Sequence, residues 1–508
     1  MTVNSLNQAR PKQPLSGHVD VLIVGAGISG IGMAHYLVNN QPGKTFAILD
    51  GRDTIGGTWD LFKYPGIRSD SDLHTFGYEF KPWTSDNAIA DAHEIVDYLY
   101  EVIDEDDLAR RIYLQHMVIS ANFDTGTAQW TVTLAHGDQQ FDVTCDWLFG
   151  ATGYYDYASG YSPHFEGQED FGGPILHPQF WPEDLDYKGK EVVVIGSGAT
   201  AVTLIPAMAD DTAHITMLQR SPSYVMPLPK QDPIANGLRK VLPGKLAYRV
   251  TRSVNKGRQR LIYGASKRYP KQVRRIIRAL NVKALPEGYD VDTHFNPKYN
   301  PWDQRMCAVP DSDLFNAISA GKASVVTDGI VRFTSNGILL QSGRELKADI
   351  IVTATGLKLL PFGGIEVSVD GNVKNPHDSL VYKSFMLSDI PNLAFAFGYT
   401  NSSWTLKVDL VCEHLCRLMA YMDRHGYAMV VPVVDDPMIE KRPMLDFPAG
   451  YILRGVDIFP QQGTSGPWTV EMNFKADHAR LRKGPVEDAA LRFSTAKPVA
   501  AKPDFATA

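Results

Sequence analysis

Short apolar runs separated by glycine-rich breaks open the chain. Val19–Val24 is an apolar run that ends at Gly25, a helical apolar pattern follows to about Asn39, and Thr45–Asp50 is a second run. A strand, a glycine turn, a helix and a further strand in this order open a doubly wound α/β domain. Three later runs predict an antiparallel meander: Ile112–Phe123, Gln129–Ala135 and Phe141–Leu148.

The same order of elements restarts further along the chain. Glu191–Ile195 has the pattern of a strand, Ala199–Ala209 that of a helix and His214–Gln219 that of a strand. Two such openings predict two dinucleotide-binding domains. Asn336-Gly337, between two apolar runs, predicts a hairpin with a type I′ turn, and Trp404–Asp423 is long enough for a late helix.

The expected fold is therefore α/β, with two Rossmann-like dinucleotide-binding domains and a helical insertion in the second. We expect the first domain to be split, with its halves flanking the second. The expected divisions are an N-terminal tail at 1–17, the first half of the first domain at 18–153, the second domain at 154–330 with a basic helical insertion at 225–300, the second half of the first domain with the C-terminal region at 331–493, and a flexible tail at 494–508.

Composition narrows the classes of protein. The 508 residues suggest about three structural units, and no apolar run approaches the roughly 18 residues of a membrane-spanning helix. The net charge of −7 gives no reason to expect nucleic acid as a partner. Four cysteines without a CxxC pair disfavour a disulfide framework or a redox dithiol, so a reducing cytoplasm is expected.

The first glycine motif, Gly25-Ala26-Gly27-Ile28-Ser29-Gly30, lies between a strand and a helix. Its first glycine permits a tight turn, its second allows the backbone to approach a pyrophosphate, and its third allows the helix to pack on the strand. The helix N-terminus offers N–H groups to phosphates. Asp50, at the end of the next strand, is placed to accept hydrogen bonds from ribose hydroxyls.

The second motif, Gly196-Ser197-Gly198-Ala199-Thr200-Ala201, repeats this logic with a different strand end. Here Gln219-Arg220-Ser221 carries no acid, and an arginine suits the 2′-phosphate of NADPH. The alternative for Arg220 is a solvated charge at the end of a strand. Two dinucleotide sites in one chain indicate electron transfer from a nicotinamide to a flavin, so the first site is expected to hold FAD.

Two longer patterns are more specific. Phe171–Pro182 fits F-x-G-x-x-x-H-x-x-x-W-P, and Gly56-Gly57-Thr58-Trp59 is followed by Tyr64-Pro65-Gly66 and Asp70. With these motifs the chain resembles the type I Baeyer–Villiger monooxygenases over most of its length. The branch that activates ethionamide is the most similar, on the stretches Gly57–Leu61, Tyr64–Asp72, Asn300–Arg305 and Gly398–Thr405.

The resemblance implies NADPH- and O2-dependent insertion of oxygen next to a ketone carbonyl, with sulfoxidation of thioethers and thioamides as a side activity. Arg305 matches the active-site arginine of the family, and Asp70 matches the carboxylate that orients it. A guanidinium remains charged at every relevant pH and stabilises negative charge best where water is excluded. Because the two residues come from different domains, the site is expected at the domain interface.

The resemblance also implies cofactor contacts. Residues expected at FAD are Gly25, Gly27, Ser29, Gly30, Asp50, Gly57, Thr58, Trp59, Asp60, Leu61, Asp70 and, beside the adenine, Val118. Residues expected at NADPH are Arg68, Ser69, Asp70, Gly196, Ser197, Gly198, Ala199, Thr200, Ala201, Val202, Thr203, Arg220 and Ser221. Gln304 departs from the lysine common at that position, so the preference for NADPH depends on Arg220. His177 and Trp181 are either hinge residues or core packing.

A basic region lies in the helical insertion. Residues 239–283 contain fifteen lysines or arginines and no acid. Such a surface is attracted to anionic lipid, which predicts peripheral membrane contact, although solvated helix faces are the alternative. Cys412 and Cys416 lie on one helical face and are expected in the core, and no His/Cys cluster has the spacing of metal ligands.

Two other functions remain open from the sequence, and a third is disfavoured. A heteroatom-oxygenating flavin monooxygenase shares both nucleotide motifs but normally lacks the Trp181-Pro182 ending and the context of Arg305. A disulfide reductase would require paired redox cysteines near the flavin, and the sequence contains no such pair. A non-catalytic sensor would bind FAD and NADPH without turnover. The expected partners are a ketone or thioether and O2, and the oligomeric state stays open.

Overall fold

The computed structural model describes residues 15–304, 306–436, 438–445 and 450–495. Most of both expected tails, at 1–14 and 496–508, and Arg305 lie outside the described residues. No described helix has the length and apolar character needed to cross a membrane.

The strands follow the chain as β1 (His18–Val24), β2 (Phe46–Asp50), β3 (Ile112–Leu114), β4 (Met117–Asp124), β5 (Gln129–His136), β6 (Gln139–Gly150), β7 (Tyr155–Gly160), β8 (Ile175–Leu176), β9 (Glu191–Ile195), β10 (His214–Gln219), β11 (Val225–Leu228), β12 (Cys307–Pro310), β13 (Ala323–Thr327), β14 (Ile330–Thr334), β15 (Gly337–Leu340), β16 (Glu345–Lys347), β17 (Ile350–Thr353), β18 (Leu357–Leu359), β19 (Glu366–Val369), β20 (Asn372–Lys374), β21 (Val381–Tyr382), β22 (Met386–Leu387), β23 (Leu393–Phe395), β24 (Met429–Pro432), β25 (Lys441–Pro443), β26 (Gln461–Gly463) and β27 (Leu491–Ser494).

The α-helices of the described residues are α1 (Ile28–Asn40), α2 (Thr58–Leu61), α3 (Leu73–Phe76), α4 (Ala92–Glu105), α5 (Ala199–Met208), α6 (Pro233–Val241), α7 (Gly244–Arg268), α8 (Pro270–Ala284), α9 (Val291–His294), α10 (Asp313–Ser319), α11 (Thr405–His425), α12 (Gly450–Leu453) and α13 (Phe474–Asp477).

The first sheet forms around β1, which pairs in parallel with β2 and β6. The predicted meander is present, since β4, β5 and β6 pair antiparallel. The expected single strand Ile112–Phe123 is instead divided into β3 and β4, because Gln115 between them has a φ of 59°. Late in the chain, β23 returns to pair in parallel with β6, so the first sheet takes strands from both sides of the second domain.

The second sheet has the order β13-β10-β9-β17-β8 and is parallel throughout. Its strand β17 lies within the range 331–493 that was expected to belong to the first domain. Phe333 of β14 and Ile338 of β15 also pack on this sheet, in one buried cluster with Leu218. The boundary at residue 330 therefore differs from the sheet membership, and the chain returns toward the first sheet only after β17.

The predicted hairpin forms between β14 and β15. Thr334 pairs with Gly337, so the two turn residues are Ser335 and Asn336. Asn336 does not have the positive φ that a type I′ turn requires. The predicted hairpin is confirmed, and the predicted turn type at Asn336-Gly337 is wrong.

The helical insertion comprises α6 to α9 and is fastened to the first domain. Arg252 of α7 is buried, donates to the backbone carbonyls of His74, Thr75 and Gly77, and lies 3.1 Å from the Asp409 carboxylate in α11. A buried charge requires such compensation to remain in the interior. The insertion is thereby a fixed part of the interface between the two domains.

Candidate active site

The first glycine loop has the tight geometry expected of a dinucleotide turn. Gly25 has a φ of +114°, and a Cβ there would lie 2.5 Å from the carbonyl oxygen of Ala151. A Cβ on Gly30 would overlap the carbonyl oxygen of Gly25, where α1 packs on β1. Gly27 precedes α1, and its N-terminal position leaves the first N–H groups of the helix available to phosphate.

Asp50 ends β2 beside this loop. Its two carboxylate oxygens accept hydrogen bonds from the N–H groups of Ala26 and Arg52, both at 2.9 Å. Burial raises the pKa of Asp50, and the two N–H bonds oppose that effect. Val118, in β4, is buried in the same domain, and the N–H of His116 just before it donates to the Asp50 carbonyl. The expected ribose and adenine residues thus lie along one edge of the loop.

The Gly56-Gly57 turn packs directly onto the first loop. A Cβ on Gly57 would lie 3.2 Å from the Gly27 Cα, and its φ is +56°. In α2, the Thr58 side chain hydrogen-bonds with Tyr157, and the Trp59 ring contacts Phe76 edge-on with centroids 5.5 Å apart. Leu61 of the same helix packs against the core of the second domain.

The Asp60 carboxylate is held by groups of its own domain. It accepts from Arg52 at 2.6 Å, from Thr54 at 2.5 Å and from Lys63 at 2.8 Å. Burial is the largest influence on the pKa of Asp60 and acts to raise it, but the hydrogen bonds from Lys63 and Thr54 and the charges of Arg52 and Lys63 act together in the other direction, and the net shift is downward. Asp60 is therefore a stable anchor for the turn, whatever cofactor contact it makes.

The next segment, from Tyr64 to Asp70, reaches the second domain. The Tyr64 hydroxyl hydrogen-bonds with the Thr200 side chain of the second glycine loop. Gly66 lies against α5, where a Cβ would be 2.6 Å from the Ala207 Cβ. Nη1 of Arg68 donates to Asp313 of α10 at 2.5 Å, while its buried Nη2 has no hydrogen-bond partner among the described residues.

Ser69 and Asp70 follow directly. Ser69 is buried, its N–H donates to the Ala90 carbonyl and its hydroxyl to the Ser71 carbonyl, both at 2.9 Å. Asp70 is half-buried and close enough to Tyr64 to raise the pKa of that phenol, after the larger effect of burial. The segment thus presents a carboxylate at the interface of the two domains.

The second glycine loop repeats the geometry of the first. Gly196 has a φ of +132°, and a Cβ there would overlap the Ala354 carbonyl oxygen. A Cβ on Gly198 would meet open space, which is the room that a pyrophosphate needs above the start of α5. Ala199 begins that helix, whereas Ala201 and Val202 are buried and fix it on the sheet.

The polar side chains of this loop lie at the end of β10. The Ser197 hydroxyl contacts the Ser223 hydroxyl at 3.0 Å and donates to the Ser221 carbonyl at 3.4 Å. Thr203 is buried, and its carbonyl oxygen lies close to Gly66. Arg220 is exposed and forms no ion pair with a described acid. Its guanidinium is thus available to an anion arriving at the loop.

A cavity of about 280 Å³ is bordered by the end of α7 and the segment around Trp302. Trp404, three residues after the cavity residue Asn401, donates its indole N–H to the Ser29 hydroxyl of the first loop at 2.9 Å. The walls are about equally apolar and polar, and they include three charged side chains. They comprise Tyr263, Lys267, Trp302, Asp303, Thr400, Asn401, Arg442, Met444, Leu445, Gln462, Val470 and Met472.

The flanks of Arg305 are placed even though Arg305 lies outside the described residues. Lys267 of α7 donates to the Asp303 carboxylate at 3.0 Å and to the Trp302 carbonyl at 3.1 Å. On the other side, the Cys307 thiol approaches the Ser197 carbonyl at 4.0 Å. The segment therefore runs from the cavity wall to the second glycine loop.

His177 holds together the two chain crossings between the domains. Its Nε2 lies 3.0 Å from the Gly356 carbonyl, and its Nδ1 accepts the Gln179 N–H at 3.2 Å. The ring also fills the space beside Gly160, at the end of β7. Burial lowers the pKa of His177, which favours the neutral ring that these two bonds require. The position between the two domains fits a hinge residue, and the two satisfied ring nitrogens fit a core histidine equally well.

The two loops and the segment between them fit dinucleotides. The open space above Gly198, the buried and unpartnered Nη2 of Arg68 and the exposed guanidinium of Arg220 all favour an anionic ligand. The sequence patterns located both loops and included Tyr64 in a motif, but they assigned neither Trp404 nor Asp313 to the site. These two residues have no local signal for that role, since each acts through a partner far away in the sequence.

A group with metal-ligand proximity occurs elsewhere. His18, Asp20 and Asp146 approach one another within 4.8 Å at the end of β1 opposite to the glycine loop. The Asp20 carboxylate already accepts hydrogen bonds from the N–H of Thr45 at 2.7 Å and from the Thr45 hydroxyl at 2.6 Å. The Nε2 atom of His18 lies 3.4 Å from the Asp146 carboxylate. Ordinary hydrogen bonds and an ion pair account for this cluster.

One family model matches the part of the chain that contains both glycine loops. The family described as pyridine nucleotide-disulphide oxidoreductase matches residues 22–231, a range that contains both glycine motifs. The four cysteines are buried and none forms a disulfide. Paired redox cysteines, which a disulfide reductase needs, are therefore not found among them.

Relatives match nearly the whole chain. It is 51% identical over 94% of its length to the FAD-containing monooxygenase EthA of Mycobacterium tuberculosis, of which 98% is covered. It is 47% identical over 94% of its length to the FAD-containing monooxygenase EthA of Mycolicibacterium smegmatis, again with 98% covered.

Solved structures share the fold. Oxidized steroid monooxygenase bound to NADP aligns with a TM-score of 0.74 at 20% identity, covering 94% of this chain and all of the other. The open crystal structure of cyclohexanone monooxygenase gives a TM-score of 0.74 at 21% identity with the same coverage. The two-domain α/β architecture is thus one that other monooxygenases adopt.

Proposed function

Because the chain belongs to the family of FAD-containing monooxygenases, we propose that it catalyses the NADPH- and O2-dependent Baeyer–Villiger oxidation of ketones to esters. The observation that carries this proposal is the segment from Tyr64 to Asp70. It joins the two glycine loops through Tyr64, Gly66 and Arg68, and it lies on the same interface as the segment that contains Arg305.

The first loop with the Gly56-Gly57 turn is proposed to hold FAD, and the second loop with Arg68 and Arg220 to hold NADPH. When bound, FAD reduced by NADPH would activate O2, of which one oxygen atom is inserted next to the carbonyl and the other leaves as water. Relatives of the same fold have been solved with FAD and NADP, including OTEMO. The residues of this chain orient the cofactors, exclude water and bind the ketone.

Arg305 is proposed to stabilise negative charge that develops at the reacting oxygen atoms. Asp70 is proposed to orient that guanidinium from the other domain. Such a charge interaction is strongest where water is excluded, as at the meeting of two domains. The cavity beside Trp302 is the proposed ketone site, where the apolar wall residues Met444, Leu445 and Val470 would contact the hydrocarbon part of the substrate. The resemblance to the ethionamide-activating branch implies open-chain or aryl-substituted ketones.

Arg305→Ala tests the assignment. We expect the variant to keep NADPH-dependent reduction of FAD and to lose ester formation by at least about a hundredfold, as for loss of a charge-stabilising group. Stopped-flow absorbance measures the reduction, and mass spectrometry measures the ester. Arg344→Ala, at an exposed position in the turn before β16, is the matched control. Ordinary ester yield from Arg305→Ala would remove its assigned role.

Sulfoxidation is proposed as a side activity of the same site, because the same activated oxygen can be transferred to the sulfur of a thioether or thioamide. A panel of ketones and thioethers, analysed by mass spectrometry with NADPH, identifies the preferred substrate class. If only nitrogen or sulfur compounds are oxidised, the enzyme is a heteroatom oxygenase and the Baeyer–Villiger proposal fails.

We also infer a cytoplasmic location, with peripheral contact to a membrane through the basic region. None of the four cysteines forms a disulfide, which fits a reducing compartment. The basic helices provide a surface for anionic lipid. Cell fractionation tests both parts: recovery only from an oxidising compartment would contradict the location.

A further inference from the structure

The basic residues of the insertion divide into two groups. One group is half-buried or pairs with acids: Arg239 with Asp86, Arg252 with Asp409, Arg258 with Asp232, Lys267 with Asp303 and Arg278 with Asp292, together with the half-buried Lys256 and Arg274. The other group is exposed and forms no ion pair with a described acid. It comprises Lys240, Lys245, Arg249, Arg260, Arg268, Lys271, Arg275 and Lys283. The second group is free to meet an external anionic surface.

The outer face of α7 is also apolar. Leu246 is 45% exposed, Val254 41% and Leu261 73%. At 3.6 residues per turn, these three positions fall within about 80° of one another on the helix, with Val250 between the first two. The opposite face is the one that packs on the first domain through Tyr248, which is buried. We refer to Leu246, Val250, Val254 and Leu261 as the outer stripe.

Basic side chains border the outer stripe on one side. Arg249 and Arg260 are exposed and lie about 40–60° from Leu246 around the helix. Exposed apolar residues also flank α7, namely Val241 at the end of α6, which is 76% exposed, and Tyr269 directly after α7, which is 50% exposed. A row of apolar side chains bordered by lysine and arginine is the pattern of a helix that lies in a membrane interface.

We propose that the outer stripe of α7 docks on an anionic phospholipid bilayer. The apolar side chains enter the acyl boundary, and Arg249 and Arg260 contact the headgroups. A second copy joined through the same face is disfavoured, because residues 239–283 contain no acid and two such faces repel each other. Nucleic acid is also disfavoured as the partner, because its phosphates could bind the arginines but would leave the apolar side chains of the outer stripe without a contact.

Docking through α7 bears on the substrate. Tyr263 and Lys267, from the last turns of the same helix, form part of the cavity wall together with Trp302. The element that meets the lipid therefore also lines the proposed ketone site. From this arrangement we infer that the substrates are carbonyl compounds that partition into a bilayer, an inference that rests on the proposed oxygenase function.

Vesicle sedimentation of the FAD-loaded enzyme tests the docking. We expect binding to phosphatidylcholine vesicles that contain phosphatidylglycerol, and weaker binding at high salt or to phosphatidylcholine alone. Leu261→Glu should lower the affinity about tenfold, since burial of a leucine contributes on that order. Val373→Glu, at a position 64% exposed in β20, is the matched control and should bind like the parent enzyme.

The outcomes are separable. Equal vesicle binding by Leu261→Glu and its parent overturns the docking. The docking is also overturned if, without vesicles, the parent enzyme is an oligomer that Leu261→Glu dissociates, because a second copy would then cover the outer stripe. Turnover of a long-chain ketone dissolved in the vesicles should fall about tenfold in Leu261→Glu, while a water-soluble ketone is oxidised equally. If no ketone is oxidised by either protein, the oxygenase function fails, and the vesicle arm still decides the docking.

Discussion

Arg68 shows how a single side chain can connect two domains. One of its nitrogens donates to Asp313 in the second domain, and another is buried without a described partner. A buried guanidinium N–H that lacks an acceptor is costly unless a ligand supplies one. Together with the exposed Arg220, it places two guanidinium groups at the second loop, which explains why NADPH is the proposed donor even with Gln304 in place of lysine.

Arg220→Ala tests the contact with the 2′-phosphate. We expect the KM for NADPH to rise about tenfold to a hundredfold, because a charge-assisted hydrogen bond is lost, while the KM for NADH changes little. Steady-state kinetics with both nucleotides measure the effect. Lys190→Ala, an exposed residue before β9, should change neither KM. An equal rise for NADPH and NADH would count against the phosphate contact.

The segment from Tyr64 to Asp70 is the structural element that joins the cofactor loops. Its Gly66 has a φ of +75° and lies against α5, so no larger residue fits without moving the helix. The pattern Tyr64-Pro65-Gly66 and the later Asp70 are visible in the sequence, and the resemblance placed cofactor contacts there. That the glycine packs on the second domain is seen only in the folded chain, because Ala207 is distant in sequence.

Gly66→Ala should disturb this junction. We expect a loss of about 1–3 kcal/mol in the free energy of unfolding, from backbone strain and the clash with Ala207, and a raised KM for NADPH. Gly137→Ala is the matched control, since Gly137 has a φ of +59° and open space around its missing Cβ. Denaturant titrations and kinetics compare them. A KM for NADPH that changes equally in both variants would separate Gly66 from cofactor binding.

The halves of the molecule are held together by buried charge. Arg252 of the insertion and Asp409 of α11 are both almost fully buried and pair at 3.1 Å. Burial raises the pKa of Asp409 to about 6, although Arg252 acts to lower it. A raised folded pKa means that the protonated form favours folding. This contribution is present below the usual pKa of 3.8 and is lost as the pH rises through about 6.

Arg252→Met removes the compensation for Asp409. We expect the free energy of unfolding to fall by about 3–5 kcal/mol near neutral pH, as for a buried charge left unpaired. The loss should be smaller at about pH 5, where the carboxyl is protonated. Arg278→Met, which breaks an exposed pair with Asp292, should have almost no effect. A loss for Arg252→Met that is independent of pH would show that packing, rather than charge, explains it.

Local patterns were sufficient for the elements that border the cofactor loops. The predicted strands Glu191–Ile195 and His214–Gln219 have the observed bounds, and both glycine loops have the backbone geometry that their motifs require. These features depend on neighbours in sequence: periodicity of apolar residues, glycine at a positive φ and a helix that begins after the turn. The identity of the two cofactors follows from the same few positions.

Long-range packing decided the rest. Ile350–Thr353 is an apolar run that could serve either sheet, and its place beside β9 depends on residues that precede it by more than a hundred positions. The same holds for the contact between Trp404 and Ser29, and for the division of the basic residues of the insertion into a paired group and an exposed group. A local sequence pattern predicts which face of a segment is buried, whereas the segment against which that face packs depends on the packing of the whole chain.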